Sequence, residues 1–226
     1  MRNAIIFFAS LPQGGAKHPL DSALGAARAT RLVELFYQDC VERLHGSAGI
    51  IVCYDPRVPV EQYRAKLGAD CRYVAQTGET DAERLDHAFR FSFEQAYDRA
   101  VAVGIACPDL PTETFGAAFT TLAHAPGCAG KTTGGEYYLL GVTRQAYGRE
   151  LFNDMVITPA GAFRAENEPF ELRFETRAPL LAQWPAVITA PDLKALYRRN
   201  FDSAFTGSKT FAYMRENAGE VGVGWN

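Results

Sequence analysis

The chain has 226 residues and no long hydrophobic run. Its first apolar stretch, Ala4–Ala9, is shorter than a signal-peptide core and far shorter than a membrane span. No other stretch qualifies, so the expectation is a protein with no targeting segment and no membrane partner. Patterned cysteine is also missing. The five cysteines (40, 53, 71, 107, 128) are scattered, with no Cys-x-x-Cys pair, and the four histidines are dispersed. That excludes a zinc motif and a disulfide framework, and fits reduced thiols in the cytoplasm. An excess of basic charge is missing too. With 23 Lys and Arg against 26 Asp and Glu, the net charge is −3, so general attraction to nucleic acid is excluded. A local phosphate site is compatible with that balance. Neither Walker spacing nor Rossmann glycine spacing occurs.

What is present is the balance of one globular α/β domain: 47% hydrophobic and 22% charged residues. Ile5–Ala9 reads as a buried strand, followed by a Gly/Pro loop through Pro19. A helix is expected from about Gly25 to Leu44, with Leu32, Leu35, Phe36, Cys40 and Leu44 at helical spacing. Strands follow at Gly49–Tyr54, Cys71–Ala75, Ala100–Ile105 and Glu136–Val142. Helices follow at Val60–Leu67, from Thr80 to about Asp98, and from Thr112 through Ala123. Thr80 and Glu83 have capping-box spacing. His124–Lys131 reads as a loop, Phe170–Thr176 as a half-exposed strand, Val187–Thr189 as a short strand and Pro191–Asn200 as a helix. Strand, loop and helix alternating four times predict a three-layer α/β/α domain around a mostly parallel sheet. Residues 1–200 form that domain. The tail, 201–226, packs on the body or on a partner subunit of a homodimer.

Open α/β sheets bind ligands at the carboxyl ends of their strands. Three segments fall there. Gly14 and Gly15 with Lys17 follow the first strand, where glycine amides and a cation suit a phosphate; the alternative is a flexible loop. Asp109, in Cys107-Pro108-Asp109, could ligate a metal or accept from a ligand hydroxyl, or could simply cap the next helix. Gly134 and Gly135 precede Glu136, a candidate acid, base or metal ligand, or else a solvated strand start. Arg84 either solvates its helix or faces the crevice.

The motifs in order are Phe8-Ala9…Pro12…Gly15…Lys17…Leu20, Gln76-Thr77-Gly78…Glu83-Arg84-Leu85, Gly104 to Leu110, Gly134 to Gly141 and Pro191-Asp192-Leu193. This ordered set resembles the small bacterial glycosyltransferase-like proteins known as selenodomain-associated transferases, over roughly residues 4–196. They have the GT-A nucleotide-diphospho-sugar transferase fold. The resemblance implies a nucleotide or nucleotide-sugar partner, with Ser10, Gly14, Gly15, Lys17, Arg84, Gly134 and Gly135 on the donor and Asp109 and Glu136 in catalysis.

It also implies Mg²⁺ or Mn²⁺, and here the chain departs from the pattern. Ser10 stands where the family has Arg, and His18-Pro19 where it has Thr-Arg. Ala106 replaces the strand-end acid, Thr133 the acid before the glycines, and Val187-Ile188-Thr189 an Asp-x-Asp run. Of the family's metal ligands, Asp109 alone is left as a candidate. The reading that follows is a nucleotide-sugar-dependent glycosyltransferase-like protein with a degenerate metal and diphosphate site. The alternatives are a catalytically inactive relative kept as a binding module, and a nucleotidyltransferase.

Overall fold

The computed structural model describes residues 1–10, 18–44, 46 and 48–219. Gly14, Gly15 and Lys17 lie outside the described residues. The order of elements is β1 (Asn3–Ala9), α1 (Asp21–Leu24), α2 (Ala26–Leu44), β2 (Gly49–Tyr54), α3 (Val60–Leu67), β3 (Arg72–Ala75), α4 (Asp81–Glu94), β4 (Arg99–Val103), α5 (Glu113–Thr121), β5 (Gly127–Lys131), β6 (Tyr137–Thr143), β7 (Met155–Ile157), β8 (Phe163–Ala165), α6 (Ala190–Arg199) and α7 (Lys209–Glu216). Among the described residues there is one eight-stranded sheet, in the order β3-β2-β1-β4-β6-β8-β7, with β5 also on β6. β1 to β4 are mutually parallel. β6 runs against β4, β5 and β8 run against β6, and β7 runs against β8. Strands β1–β5 and β8 thus point one way, β6 and β7 the other, and the sheet is mostly parallel as expected.

Side-chain alternation along β1 explains the layers. Ile5, Phe7 and Ala9 enter a core shared with Val33 and Tyr37 of α2, Tyr63 of α3 and Phe115 of α5. Ala4, Ile6 and Phe8 enter a second core with Leu85, Phe89 and Phe93 of α4. The opposite face of α2 (Leu32, Phe36) buries Leu193 and Tyr197 of α6 and Phe211 and Met214 of α7. Asp39 of α2 accepts from the Lys209 and Thr210 backbone amides at 2.9 and 2.8 Å, so a buried carboxylate fixes the start of α7.

Three sequence expectations are corrected. His124–Lys131 holds a strand, β5, rather than a loop. Phe170–Leu172 is a 3₁₀ turn, not a strand. The apparent alternation misled because Leu172 is exposed while Glu171 is buried, accepting from Lys131 Nζ and Tyr137 Oη at 2.7 Å each. Val187–Thr189 is no strand either. Val187 N donates to Ala106 O at 2.7 Å, and Thr189 is the N-cap of α6.

Candidate functional site

A cavity of about 330 Å³ opens at the carboxyl ends of β1 and β4. Its floor is built by capping the strand ends. Tyr37 Oη donates to Phe8 O at 2.6 Å and accepts from Ser10 N at 3.4 Å. Gln76 Nε2 donates to Cys53 O (2.9 Å) and Ala9 O (3.4 Å), which joins β1, β2 and the end of β3. One wall is the start of α4, fixed by the capping box of Thr80 and Glu83. Asp81, in its first turn, accepts from Ile157 N at 2.9 Å and from Arg84 Nη1 at 2.9 Å. That carboxylate holds the β7–β8 hairpin against α4 and forms the opposite wall. Ser10, His18, Gln76, Asp81 and Arg84 give the cavity its polar lining. His18 Nδ1 accepts from Leu20 N at 3.2 Å. Burial lowers its pKa, partly opposed by Asp21, so it is neutral near pH 7.

Asp109 does not line this cavity, and its carboxylate is engaged within the chain. Its carboxylate accepts from Arg199 Nε (2.7 Å) and Nη2 (2.8 Å), Asn200 Nδ2 (2.6 Å) and Trp184 Nε1 (3.0 Å). Burial alone would raise its pKa. The hydrogen bonds and charge of Arg199, with Asn200 and Trp184, outweigh that and hold it below the ordinary carboxylate range. All its acceptor sites are engaged in tying the end of α6 to the strand-end turn. Cys107 beside it is buried, and that burial first, then Asp109, pushes the thiol far up. Burial of this kind disfavours the thiolate, the form a cysteine needs to act as a nucleophile.

Gly134, Gly135 and Glu136 come together on the hairpin between β5 and β6. Gly135 N donates to Thr132 O at 3.0 Å, and Thr132 N donates to Glu136 O at 2.6 Å. Gly135 has φ +94°, the left-handed residue that closes such a three-residue turn, so glycine is required there. A Cβ at Gly134 would meet only ordinary contact.

The positions at which the resemblance expects ligands for Mg²⁺ or Mn²⁺ offer no free carboxylate. Ala106 is buried and offers only a carbonyl already used by Val187. Thr189 and Asp192 form the capping box of α6. Asp109 is occupied by Arg199. Among the described residues no three His, Cys, Asp or Glu side chains converge.

The structure thus gathers Ser10 and Arg84 into the cavity, puts Gly134, Gly135 and Glu136 together on the β5–β6 hairpin, and leaves Asp109 outside the cavity lining. Tyr37, Gln76, Asp81, Ile157 and His18 are site residues that sequence reading missed. Gln76 and His18 had a signal: one begins a motif of the resemblance, the other stands where the chain departs from the family pattern. Asp81 and Ile157, 76 residues apart, had none.

Comparison with known proteins fits this geometry. Residues 41–158 match the family described as "Uncharacterized protein conserved in bacteria (DUF2064)". The crystal structure of a candidate nucleotide-diphospho-sugar transferase from Desulfovibrio desulfuricans G20 is 30% identical. It superposes with a TM-score of 0.85 over 98% of this chain and 97% of that one. A 4-diphosphocytidyl-2C-methyl-D-erythritol synthase from Anaerococcus prevotii DSM 20548 shares the fold at 10% identity and a TM-score of 0.57, over 95% and 96% of the chains. A cytidylyltransferase from Leptospira borgpetersenii serovar Hardjo-bovis does so at 12% and 0.55, over 100% and 99%. No curated protein matches the chain. No helix among the described residues is long and apolar enough to cross a membrane. By its family match, its 30%-identical relative and its sheet, the chain belongs to the DUF2064 family within the nucleotide-diphospho-sugar transferase superfamily, a nucleotide-sugar-related transferase at family level.

Proposed function

We propose that this protein is a nucleotide-sugar-dependent, glycosyltransferase-like enzyme that holds its donor without a conventional divalent-metal site. The observation that carries this reading is the cavity at the carboxyl ends of β1 and β4. Its volume is at the lower end of small-ligand pockets, which run from roughly 300 Å³ upward. Phe8, Val33, Ile105 and Ile157 supply apolar walls for a base and ribose. Ser10, Gly14, Gly15, Lys17 and Arg84 meet the diphosphate, and His18 adds a ring N–H. Glu136 acts on the acceptor. The acceptor oxygen bonds to the sugar carbon, the bond from that carbon to the diphosphate breaks, and the diphosphate leaves with the electron pair. The acceptor proton passes to Glu136. Nucleotide is the partner. The free, buried cysteines support a reducing, cytoplasmic setting.

A second reading has its own observation. Ala106 and Thr189 stand where acids are expected and Asp109 is locked by Arg199, so the fold could serve as a non-catalytic binding module. Calorimetry with nucleoside diphosphates and their sugar conjugates, in EDTA and then in Mn²⁺, tests both. The enzyme reading expects binding in EDTA and slow release of sugar to an acceptor or water. Binding with no release selects the module. No binding under either condition overturns the nucleotide assignment.

A further inference from the structure

Two buried polar atoms at the β5–β6 turn have no hydrogen-bond partner among the described residues: Thr132 Oγ1 and Glu136 Oε2. They belong to the residues that close the β5–β6 turn through the 2.6 Å hydrogen bond of Thr132 N to Glu136 O. Residues that close such a pair project to the same face of the hairpin. The alternation of neighbouring side chains says which face. Tyr137 and Lys131 lie on the α4 side, where Lys131 meets Glu171. Tyr138 lies on the other side, with Cys107 and Trp184. Glu136 and Thr132 therefore face the Cys107–Trp184 side, and the Glu136 charge is felt at the Cys107 thiol. Trp184 closes the edge, its carbonyl accepting from Thr133 N at 3.1 Å. Thr132 is 1% exposed.

A buried hydroxyl and a buried carboxylate oxygen without partners are each costly to keep in a folded chain. A water could relieve them, but so could a ligand, and the side of the sheet they face also carries Ile105, a lining residue of the donor cavity. An ionised carboxylate only accepts hydrogen bonds, and a threonine hydroxyl gives one and accepts others. The complementary group is rich in donors.

We infer that Thr132 and Glu136 form an acceptor subsite for a hydroxyl- or ammonium-bearing group, and that the subsite disfavours carboxylates and phosphates. The term acceptor rests on the transferase reading; the binding chemistry does not. A carboxylate or phosphate would set negative charge against Glu136 and leave its lone pairs unmet. An ammonium or a vicinal diol satisfies both atoms. Gly135, required by the turn, is exposed, so the approach from solvent is free of a side chain at that point.

Thermal unfolding of the full chain tests this with ethanolamine hydrochloride, sodium acetate and inorganic phosphate as probes, at fixed pH and ionic strength. Ethanolamine should raise the melting temperature of the wild type, and Glu136→Gln and Thr132→Val should each remove at least half of the rise. Acetate and phosphate should produce no rise that depends on these residues. Thr132→Val should by itself raise the ligand-free melting temperature by about 2–4 °C, because a methyl replaces an orphaned hydroxyl in the same volume. The inference is overturned if ethanolamine leaves the wild type unmoved, as a site for water alone would. It is also overturned if the rise survives both substitutions, or if Thr132→Val lowers the ligand-free value. Uridine diphosphate provides an independent arm. If it binds while ethanolamine has no effect, this inference fails and the donor cavity stands. If ethanolamine acts through the pair while no nucleotide binds, the subsite stands and the nucleotide reading fails.

Discussion

Two carboxylates, Asp109 and Glu136, sit close to the same end of the sheet, and their surroundings are opposite. Asp109 receives four hydrogen bonds, two of them from Arg199. Glu136 keeps a buried oxygen with none. A buried acid whose acceptor sites are all filled by its own chain is a structural tie. An acid with one buried oxygen left unfilled keeps acceptor capacity to spare. The acid in the strand-end turn, which position alone would mark as functional, has become the anchor of α6. The proposed function therefore draws on the β5–β6 hairpin and on the cavity beside β1.

The largest effect should come from breaking the filled side of this contrast. Asp109→Ala strands the Arg199 guanidinium, whose side chain is 24% exposed. Removing one partner of a buried pair is strongly destabilising, and allowing for that exposure the loss should be about 2–4 kcal/mol by urea unfolding. A loss below about 0.5 kcal/mol, the scale of an ordinary surface change, would erase the distinction drawn between the two acids.

The pH dependence sharpens the same contrast. Asp109 and Glu171 are both held below the ordinary carboxylate range. For each, burial acts upward and is outweighed, by Arg199 in one case and by Lys131 and Tyr137 in the other. A carboxylate with a depressed folded pKa contributes stability that is complete above its unfolded value, about 4. That contribution is lost as pH falls through the folded value. The urea midpoint should therefore hold steady from pH 7 to about 5 and fall steeply below about pH 4. Asp109→Asn should flatten the fall. An unchanged acid limb in that variant would show that the pair contributes nothing.

Arg84→Ala moves to the open side. It should weaken nucleotide diphosphate binding about tenfold, the scale of one charge-assisted hydrogen bond. The melting temperature should change little, since Arg84 and Asp81 form a partly exposed i, i+3 pair. Equal affinity in the variant would take Arg84 out of the site. The smallest effect expected is Thr80→Ala, which loses the capping bond to Glu83 N (3.2 Å) and costs about 1 kcal/mol. If the loss of that cap also weakens nucleotide binding, the start of α4 is a working wall of the cavity; a change in stability alone makes it only a support.

Much of the fold was legible because it rests on local signals. The apolar runs of β1, β2 and β4 and the stripe of α2 are periodic, and the capping box of α4 formed as its spacing predicts. β5 was illegible for a packing reason. Its glycines read as loop, yet a Cβ at Gly127 would strike the Phe174 ring and one at Gly130 the Tyr138 ring. The strand needs small residues to pass under aromatic rings supplied from elsewhere. Of the candidate site, the sequence pointed to Ser10 and Arg84, which line the cavity near the strand ends. The tie of Asp109 to Arg199 spans 90 residues, and no local pattern announces such a pair.

The central claim is that the donor lies over β1 and α4 while Asp109 stays locked. A crystal structure of the protein grown with a nucleoside diphosphate and Mn²⁺ tests it most directly. The nucleotide is predicted between Gln76, Arg84 and Ile157, with Arg199 still on Asp109. A Mn²⁺ ion coordinated by Asp109, with Arg199 displaced and the diphosphate beside it, would contradict the account.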